Sequence, residues 1–116
     1  MLTKIKSINQ LNLKIMKTGI ELISEERARQ IVGEGYDQNH DSGYKKEELA
    51  RAAICYALPN SIRNEFLFYR AGKIINEKLW PWQYAYWKPT PENRIKELAK
   101  AGALIVAQID LINSKQ

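Results

Sequence analysis

Two stretches of the chain concentrate side chains that can hold or transform a ligand. The first runs from Arg27 and Arg29 through Gly33, Glu34, Gly35 and Tyr36 to His40 and Asp41. Guanidinium forks match phosphate oxygens, and a glycine-punctuated turn beside them suits an anion pocket. The second, residues 80–89, carries all three tryptophans (Trp80, Trp82 and Trp87) with Tyr84 and Tyr86, and prolines near both ends. Each ring has a π-face on which a base can stack for about 1–3 kcal/mol. Lys88, Arg94 and Lys100 flank this stretch and supply positive charge. Together these groups describe a pocket for a nucleotide or an ADP-ribose-like molecule. Arg27 and Arg29 would hold phosphate, Trp82 or Trp87 would stack, and His40 with Asp41 would bond ribose or base edges. Glu34, Tyr36, Trp80, Lys88 and Arg94 complete the expected lining. A second assignment competes at each point. The tryptophans can be core, since large aromatics dominate small cores. Asp41 or Ser42 can cap the helix that follows, with His40 packed in the loop.

Catalytic chemistry has less to work with. His40 beside Asp41 could act as a general base, but no second His is present and Cys55 is the only cysteine. A transition-metal site and an intrachain disulfide are therefore not expected. Cys55 lies in an apolar helical stretch and reads as a small buried hydrophobe. No catalytic residue, metal or cofactor is assigned.

The elements that must position these groups are mostly helical. Thr18 and Glu21 have capping-box spacing, with Ser24 as a competing start, for a helix running to about Val32 that Gly33 or Gly35 ends. Residues 33–44 form a polar and aromatic loop. A second helix covers about 45–58, burying Leu49, Ala52, Ala53 and Tyr56 and closed by Pro59. Residues 61–79 suggest another helix with a less regular pattern, which Gly72 and Asn76-Glu77-Lys78 can break. The last helix has Thr90 as N-cap and Pro91 at its first position. Ile95, Leu98, Gly102, Ile105, Ile109 and Ile112 then mark a narrow seam of the kind two packed helices share. Gly102 would let a backbone approach, with the Ala52–Ala53 face as its partner. The expected fold is all-α: a small bundle of three to five helices over residues 18–116, preceded by a short arm or strand over 1–17.

The 116 residues are one ordinary domain, 45% hydrophobic and 27% charged, long enough to bury a core without disulfides. Net charge is +5, with four lysines and no acid in residues 1–17; the rest has 14 basic and 13 acidic residues. A basic excess confined to one arm does not describe a duplex-binding face. No apolar run reaches the roughly 20 residues of a membrane helix, and no signal-type segment opens the chain. A reducing cytoplasm is the expected location.

Several of these pieces, in order, resemble a family of short phage and prophage proteins. They are Glu26-Arg27-Ala28-Arg29-Gln30, Glu34-Gly35-Tyr36, His40-Asp41, Glu48-Leu49-Ala50-Arg51-Ala52-Ala53 with Tyr56-Ala57, Trp80-Pro81-Trp82, Trp87-Lys88-Pro89, and Lys100-Ala101-Gly102-Ala103-Leu104-Ile105 to Ile109-Asp110. The likeness covers about residues 19–112. The chain departs from the family at Gln108, where an acid is common, and in a longer segment at 59–79. Some members carry the description dATP/dGTP diphosphohydrolase, which implies an all-α, Mg²⁺-dependent nucleotide pyrophosphohydrolase. The MazG-like enzymes of that kind resemble one another in a Glu-Glu-x-x-Glu motif and a later Glu-x-x-Asp. Here Glu25-Glu26 is followed by Arg29, Glu47-Glu48 by Arg51, and Asp110 is preceded at that spacing by Ala107. Each motif lacks an acid that Mg²⁺ and a triphosphate need; Glu34, Asp41, Glu48 and Asp110 would have to meet in space instead. The phage origin that the likeness implies suggests a binder in the bacterial host cytoplasm. It would be a counter-defence sponge that sequesters a cyclic nucleotide or ADP-ribose-type signal, with homo-oligomerisation through the seam or the arm. The pyrophosphohydrolase and a module docking on a host protein are the alternatives.

Overall fold

The capping box opens the first helix. Thr18 Oγ1 accepts from Glu21 N at 3.2 Å, and Glu21 Oε1 accepts from Thr18 N at 3.4 Å. Helix α1, Gly19–Glu34, ends at Gly35, whose φ of 72° is left-handed. Gly33 lies inside the helix, so α1 runs two residues past the expected end. The computed structural model describes residues 16–67, 69–70, 73–74 and 76–116; residues 1–15 of the expected arm lie outside them.

The loop after α1 holds a single turn, α2, Gln38–Asp41, in which Asp37 Oδ1 accepts from His40 N at 2.9 Å. Helix α3, Glu48–Ala57, buries Leu49, Ala52, Ala53 and Tyr56 as the spacing predicts, and Cys55 with them. Neither Asp41 nor Ser42 is its N-cap. That position belongs to Glu47, with φ 52° and no side-chain cap bond. Helix α4, Asn60–Phe66, is short. The helix expected across 61–79 stops there: Leu67 is extended, and Tyr69–Arg70 (β1) pairs antiparallel with Lys73–Ile74 (β2). The run of aromatic and β-branched residues favours extended backbone, and Gly72 is costly in a helix.

A 3₁₀ turn, Tyr84–Tyr86, interrupts the aromatic stretch, and helix α5, Arg94–Ser114, closes the chain. Its N-cap is Asn93, whose Oδ1 accepts from Lys96 N at 3.2 Å. Thr90, expected in that role, instead begins a turn closed by Asn93 N donating to Thr90 O at 2.8 Å. Pro91 is the second residue of that turn, where its fixed φ suits it as well as it would suit a helix start. The fold is all-α, and no helix among the described residues is long and apolar enough to cross a membrane.

Helix α5 packs α3 on one side and α1 on another. The core joins Ala101, Leu104, Ala107 and Leu111 of α5 to Leu49, Ala52, Ala53, Cys55 and Tyr56 of α3, with Leu67, Trp80 and Trp87 around them. The buried face of α5 is thus not the expected seam, whose leucine and isoleucines remain 45–65% exposed. Alanines on both α3 and α5 let the backbones approach where isoleucines would hold them apart. Gly102 faces α1 rather than Ala52–Ala53: a Cβ there would meet Ile23 Cδ1 at 2.5 Å and Cγ1 at 2.7 Å.

One buried carboxylate ties the helices together. Glu97 is 1% exposed and accepts from Arg63 Nη1 of α4 at 2.9 Å, Arg94 Nη1 at 3.2 Å and Thr90 N at 3.0 Å. The same guanidiniums satisfy carbonyls at the C-terminus of α3. Arg63 Nη2 donates to Tyr56 O and Leu58 O, and Arg94 to Tyr56 O and Ala57 O. That end of a helix is the negative pole of its dipole. Burial pushes the Glu97 carboxyl up, but the bond and charge of Arg63, then Arg94 and the Thr90 N–H, outweigh it and hold the group below its ordinary value.

Two outcomes follow from this packing. Gly102→Ala gains about 1 kcal/mol of helix propensity but must displace a stiff β-branched side chain, an overpacking cost of about 1–3 kcal/mol. Urea denaturation will show a net loss, which Ile23→Ala in the same chain will reverse in part. Glu97→Gln leaves the buried Arg63 guanidinium and the half-buried Arg94 one without their carboxylate and will lower stability by about 3–5 kcal/mol at neutral pH. Because the folded carboxyl titrates below its unfolded value of 4.5, its contribution is complete above that pH and is lost as pH falls through the folded value. Stability curves between pH 7 and pH 2 will therefore converge for the two proteins at the acid end.

Candidate functional site

A cavity of about 250 Å³ lies where the end of α1, the loop through α2, α3, the aromatic stretch and α5 meet. Helix α1 contributes Arg27, Gln30 and Glu34, which share one face by their 3- and 4-residue spacing, and Arg29 beside them. The loop gives Tyr36, His40, Asp41 and Tyr44; α3 gives Leu49 and Tyr56. Trp80, Trp82, Tyr86 and Lys88 come from the aromatic stretch, and Lys100 and Leu104, one turn apart, from α5.

The rings form a continuous series. Tyr36 stacks on His40 at 5.0 Å, His40 meets Tyr44 edge-on at 5.6 Å, and Tyr44 lies 5.4 Å from Trp82. Trp82 then meets Trp80 edge-on at 5.4 Å, and Trp80 meets Tyr56 at 5.8 Å and Trp87 at 5.0 Å. Trp80 is fixed further by donating Nε1–H to Gln83 O at 3.1 Å. Burial, and then the Asp41 charge, push the Tyr44 hydroxyl up to about 12. Burial likewise pushes Tyr56 up to about 12, although it accepts from Lys88 N at 3.2 Å. Both phenols are neutral groups at physiological pH.

The charged groups divide into those already paired and those not. Arg27 Nη1 donates to Tyr36 O at 2.8 Å, and Nη2 pairs with Asp41 Oδ2 at 3.5 Å. Asp41 is 1% exposed and also meets His40 Nδ1 at 3.0 Å. This chain of contacts ties the loop to α1. Arg29 binds Glu26 through two bonds of 2.9 Å and 2.6 Å and reaches Glu34 at 3.3 Å. The Glu26 bond raises its pKa further. The two guanidiniums expected at phosphate are therefore engaged by carboxylates. Lys88 and Lys100 form no ion pair among the described residues. Lys100 Nζ donates to Lys88 O at 3.2 Å and sits 4.9 Å from the centre of the Tyr56 ring. Burial lowers its pKa.

Nine of the eleven residues singled out from sequence line this one cavity: Arg27, Arg29, Glu34, Tyr36, His40, Asp41, Trp80, Trp82 and Lys88. Trp87 and Arg94 do not. Trp87 is core, packed on Tyr56 at 4.7 Å beneath the Arg63 guanidinium, and Arg94 is held by Glu97 and the end of α3. Gln30, Tyr44, Leu49, Tyr56 and Leu104 line the cavity and were missed. The i, i+3, i+7 relation of Arg27, Gln30 and Glu34 was the available signal for Gln30, whereas Tyr56 reads from its spacing as core.

Three buried polar atoms of lining residues have no partner among the described residues: Arg27 Nε, Gln30 Oε1 and Trp82 Nε1. Gln30 is 3% exposed, and its Nε2 donates to Glu26 Oε1 at 3.5 Å, so the end left open is the acceptor. An unpaired buried polar atom costs about 1–3 kcal/mol, which a bound polar group would recover.

The acids named from sequence do not gather. Glu34 and Asp41 face arginines in the cavity, Glu48 Oε1 accepts from Lys46 N at 2.6 Å, and Asp110 lines a second depression with Arg27, Ile31, Asn113 and Ser114. Among the described residues no group of three or more His, Cys, Asp or Glu is placed to share a metal ion. Cys55 is fully buried and its thiol is pushed up to about 12 by burial, the opposite of an activated nucleophile.

Contact length is a poor guide to which arginine matters for stability. Asp41→Ala strands a buried guanidinium and will cost about 3–5 kcal/mol. Arg29→Ala removes shorter but exposed pairs and will cost less than about 1 kcal/mol. Chemical denaturation of the two variants will give that order, and the reverse order would mean that the Arg27–Asp41 contact is incidental. Comparison of the chain with protein-family models, curated proteins and solved structures returns no match.

Proposed function

We propose that this protein binds a small phosphate-bearing nucleotide derivative in the aromatic cavity and holds it without turning it over. One observation carries the reading: a cavity walled by a series of rings has four basic side chains against two acidic ones, together with three unpartnered buried polar atoms. Rings suit a base, surplus positive charge suits phosphate, and open donors and an acceptor suit base or ribose edges. The two acids are each committed to an arginine, which favours holding over metal-assisted hydrolysis. With the likeness to phage proteins, the reading becomes a sponge for a cyclic nucleotide or ADP-ribose-type immune signal in the bacterial cytoplasm. The exposed apolar stripe of α5 favours self-association as part of the working form.

The test is a parallel incubation. The protein is mixed with canonical (d)NTPs and Mg²⁺, and separately with cyclic mononucleotides, cyclic dinucleotides and ADP-ribose derivatives, then heated and the supernatant analysed. An intact ligand recovered after heating, with a stabilisation of about 2.7 kcal/mol at 100-fold excess over its dissociation constant, is the expected result. Release of pyrophosphate would replace the binder with the pyrophosphohydrolase. No thermal shift with any nucleotide would leave the protein-docking module as the surviving reading.

A further inference from the structure

Resting on that binding reading, we propose that the cavity takes a single nucleotide unit whose anionic group is held by Lys88 and Lys100, with the arginines serving as framework. The size argument comes first. Cavities that enclose drug-sized ligands run from roughly 300 to 1,000 Å³, and this one measures about 250 Å³. That is room for one ring system with a sugar and one anionic group. The second half of a dinucleotide would lie outside it.

Charge availability then selects the anion's partners. A phosphate at Arg27 would have to displace the Asp41 carboxylate and the Tyr36 carbonyl, and at Arg29 it would compete with Glu26 and Glu34. Lys100 needs no such displacement. Its ammonium is half-buried, bonded to a neutral carbonyl and an aromatic face, and has no carboxylate partner among the described residues. Lys88, whose own carbonyl receives that bond, brings a second positive charge to the same cavity. A partly desolvated ammonium gains more from an anion than an exposed one does; burial lowers the Lys100 pKa, and the Glu26 charge offsets only part of that.

The remaining open groups describe the rest of the ligand. Trp82 is half-buried and lies beside Tyr44, a wall for a planar ring. Gln30 Oε1 requires a donor, while Trp82 Nε1 and Arg27 Nε require acceptors. A base edge carrying both an exocyclic amine or ring N–H and a carbonyl or ring nitrogen meets that demand; a purely apolar ring does not.

The test is calorimetric titration of the whole chain with adenosine, guanosine, cytidine and uridine, with their 5′-monophosphates, and with cyclic dinucleotides. The wild-type protein is expected to bind at least one monophosphate, one per chain, about tenfold or more tighter than the matching nucleoside. Lys100→Met and the exposed Lys88→Ala are expected to shrink that preference severalfold each while nucleoside affinity stays put, and Lys115→Ala, on the exposed end of the chain outside the cavity, is expected to preserve it. A preference that survives both lysine variants, or that vanishes with Lys115→Ala, overturns the assignment. A cyclic dinucleotide that binds where no monophosphate does overturns the single-unit claim yet leaves the binding function standing. Silence from every nucleotide removes both.

Discussion

The geometry of this molecule depends on a carboxylate taken out of water. Glu97 sits in the first turn of α5 and gathers Arg63, Arg94 and the Thr90 N–H. Through Arg63 it fixes α4 across the end of α3. Through Thr90 it anchors the C-terminal end of the aromatic stretch, and the Arg63 guanidinium then lies over Trp87. Trp87 in turn packs on Trp80 and Tyr56. An ion cluster outside the cavity lining therefore helps to set the position of the indoles. Such clusters contribute little net stability, because desolvation offsets much of the Coulomb gain. Their effect is to specify one arrangement: if the carboxylate leaves, the guanidiniums and the carbonyls at the end of α3 lose their common partner.

Much of the local structure was legible in the sequence because its causes are local. Thr18 with Glu21 forms the capping box, Gly35 takes the left-handed cap, and the α3 stripe buries as its spacing requires. The last helix shows where that legibility stops. It carries two apolar stripes at helical spacing, one of large side chains and one built around Ala101, Leu104, Ala107 and Leu111. Periodicity scores them alike. What separates them is the partner surface: α3 presents Ala52 and Ala53, and only a small-residue face can come close to it. The choice of Asn93 over Thr90 as N-cap has a similar origin. Pro91 suits both a helix start and a turn, and the turn wins because Thr90 then delivers its N–H to Glu97.

The lining of the cavity was legible in part, the roles of its residues were not. Residue type singled out arginines, indoles, His40 and Asp41, and the fold brings nine of the eleven residues so chosen to one cavity, with Trp87 and Arg94 elsewhere. Which of them are spoken for is a tertiary fact. Arg27 finds Asp41 14 positions away and Arg29 finds Glu26 one turn back. A guanidinium already engaged by a carboxylate is a staple, whatever its potential for phosphate. Lysines are the better candidates for an exchangeable anion here for the same reason that they make poorer staples. An ammonium is a point charge on a flexible stem, with no planar fork to match a carboxylate.

The question of whether the tryptophans are core or pocket turns out to be badly posed. Trp87 and Trp80 are 6% and 4% exposed, yet they are in ring contact with each other and, through Trp80, with Trp82, Tyr44, His40 and Tyr36 at the cavity. One series of rings begins in the hydrophobic core and ends at the cavity wall. Rings packed edge to face cannot shift singly. A ligand that displaces Trp82 must therefore move against Trp80, and through it against the core that Glu97 holds in place. A wall backed in this way is preformed, and preformed walls favour small rigid ligands because little ordering remains to be done on binding. Core packing and ligand selection in this fold are, on that argument, two consequences of one arrangement of aromatic side chains.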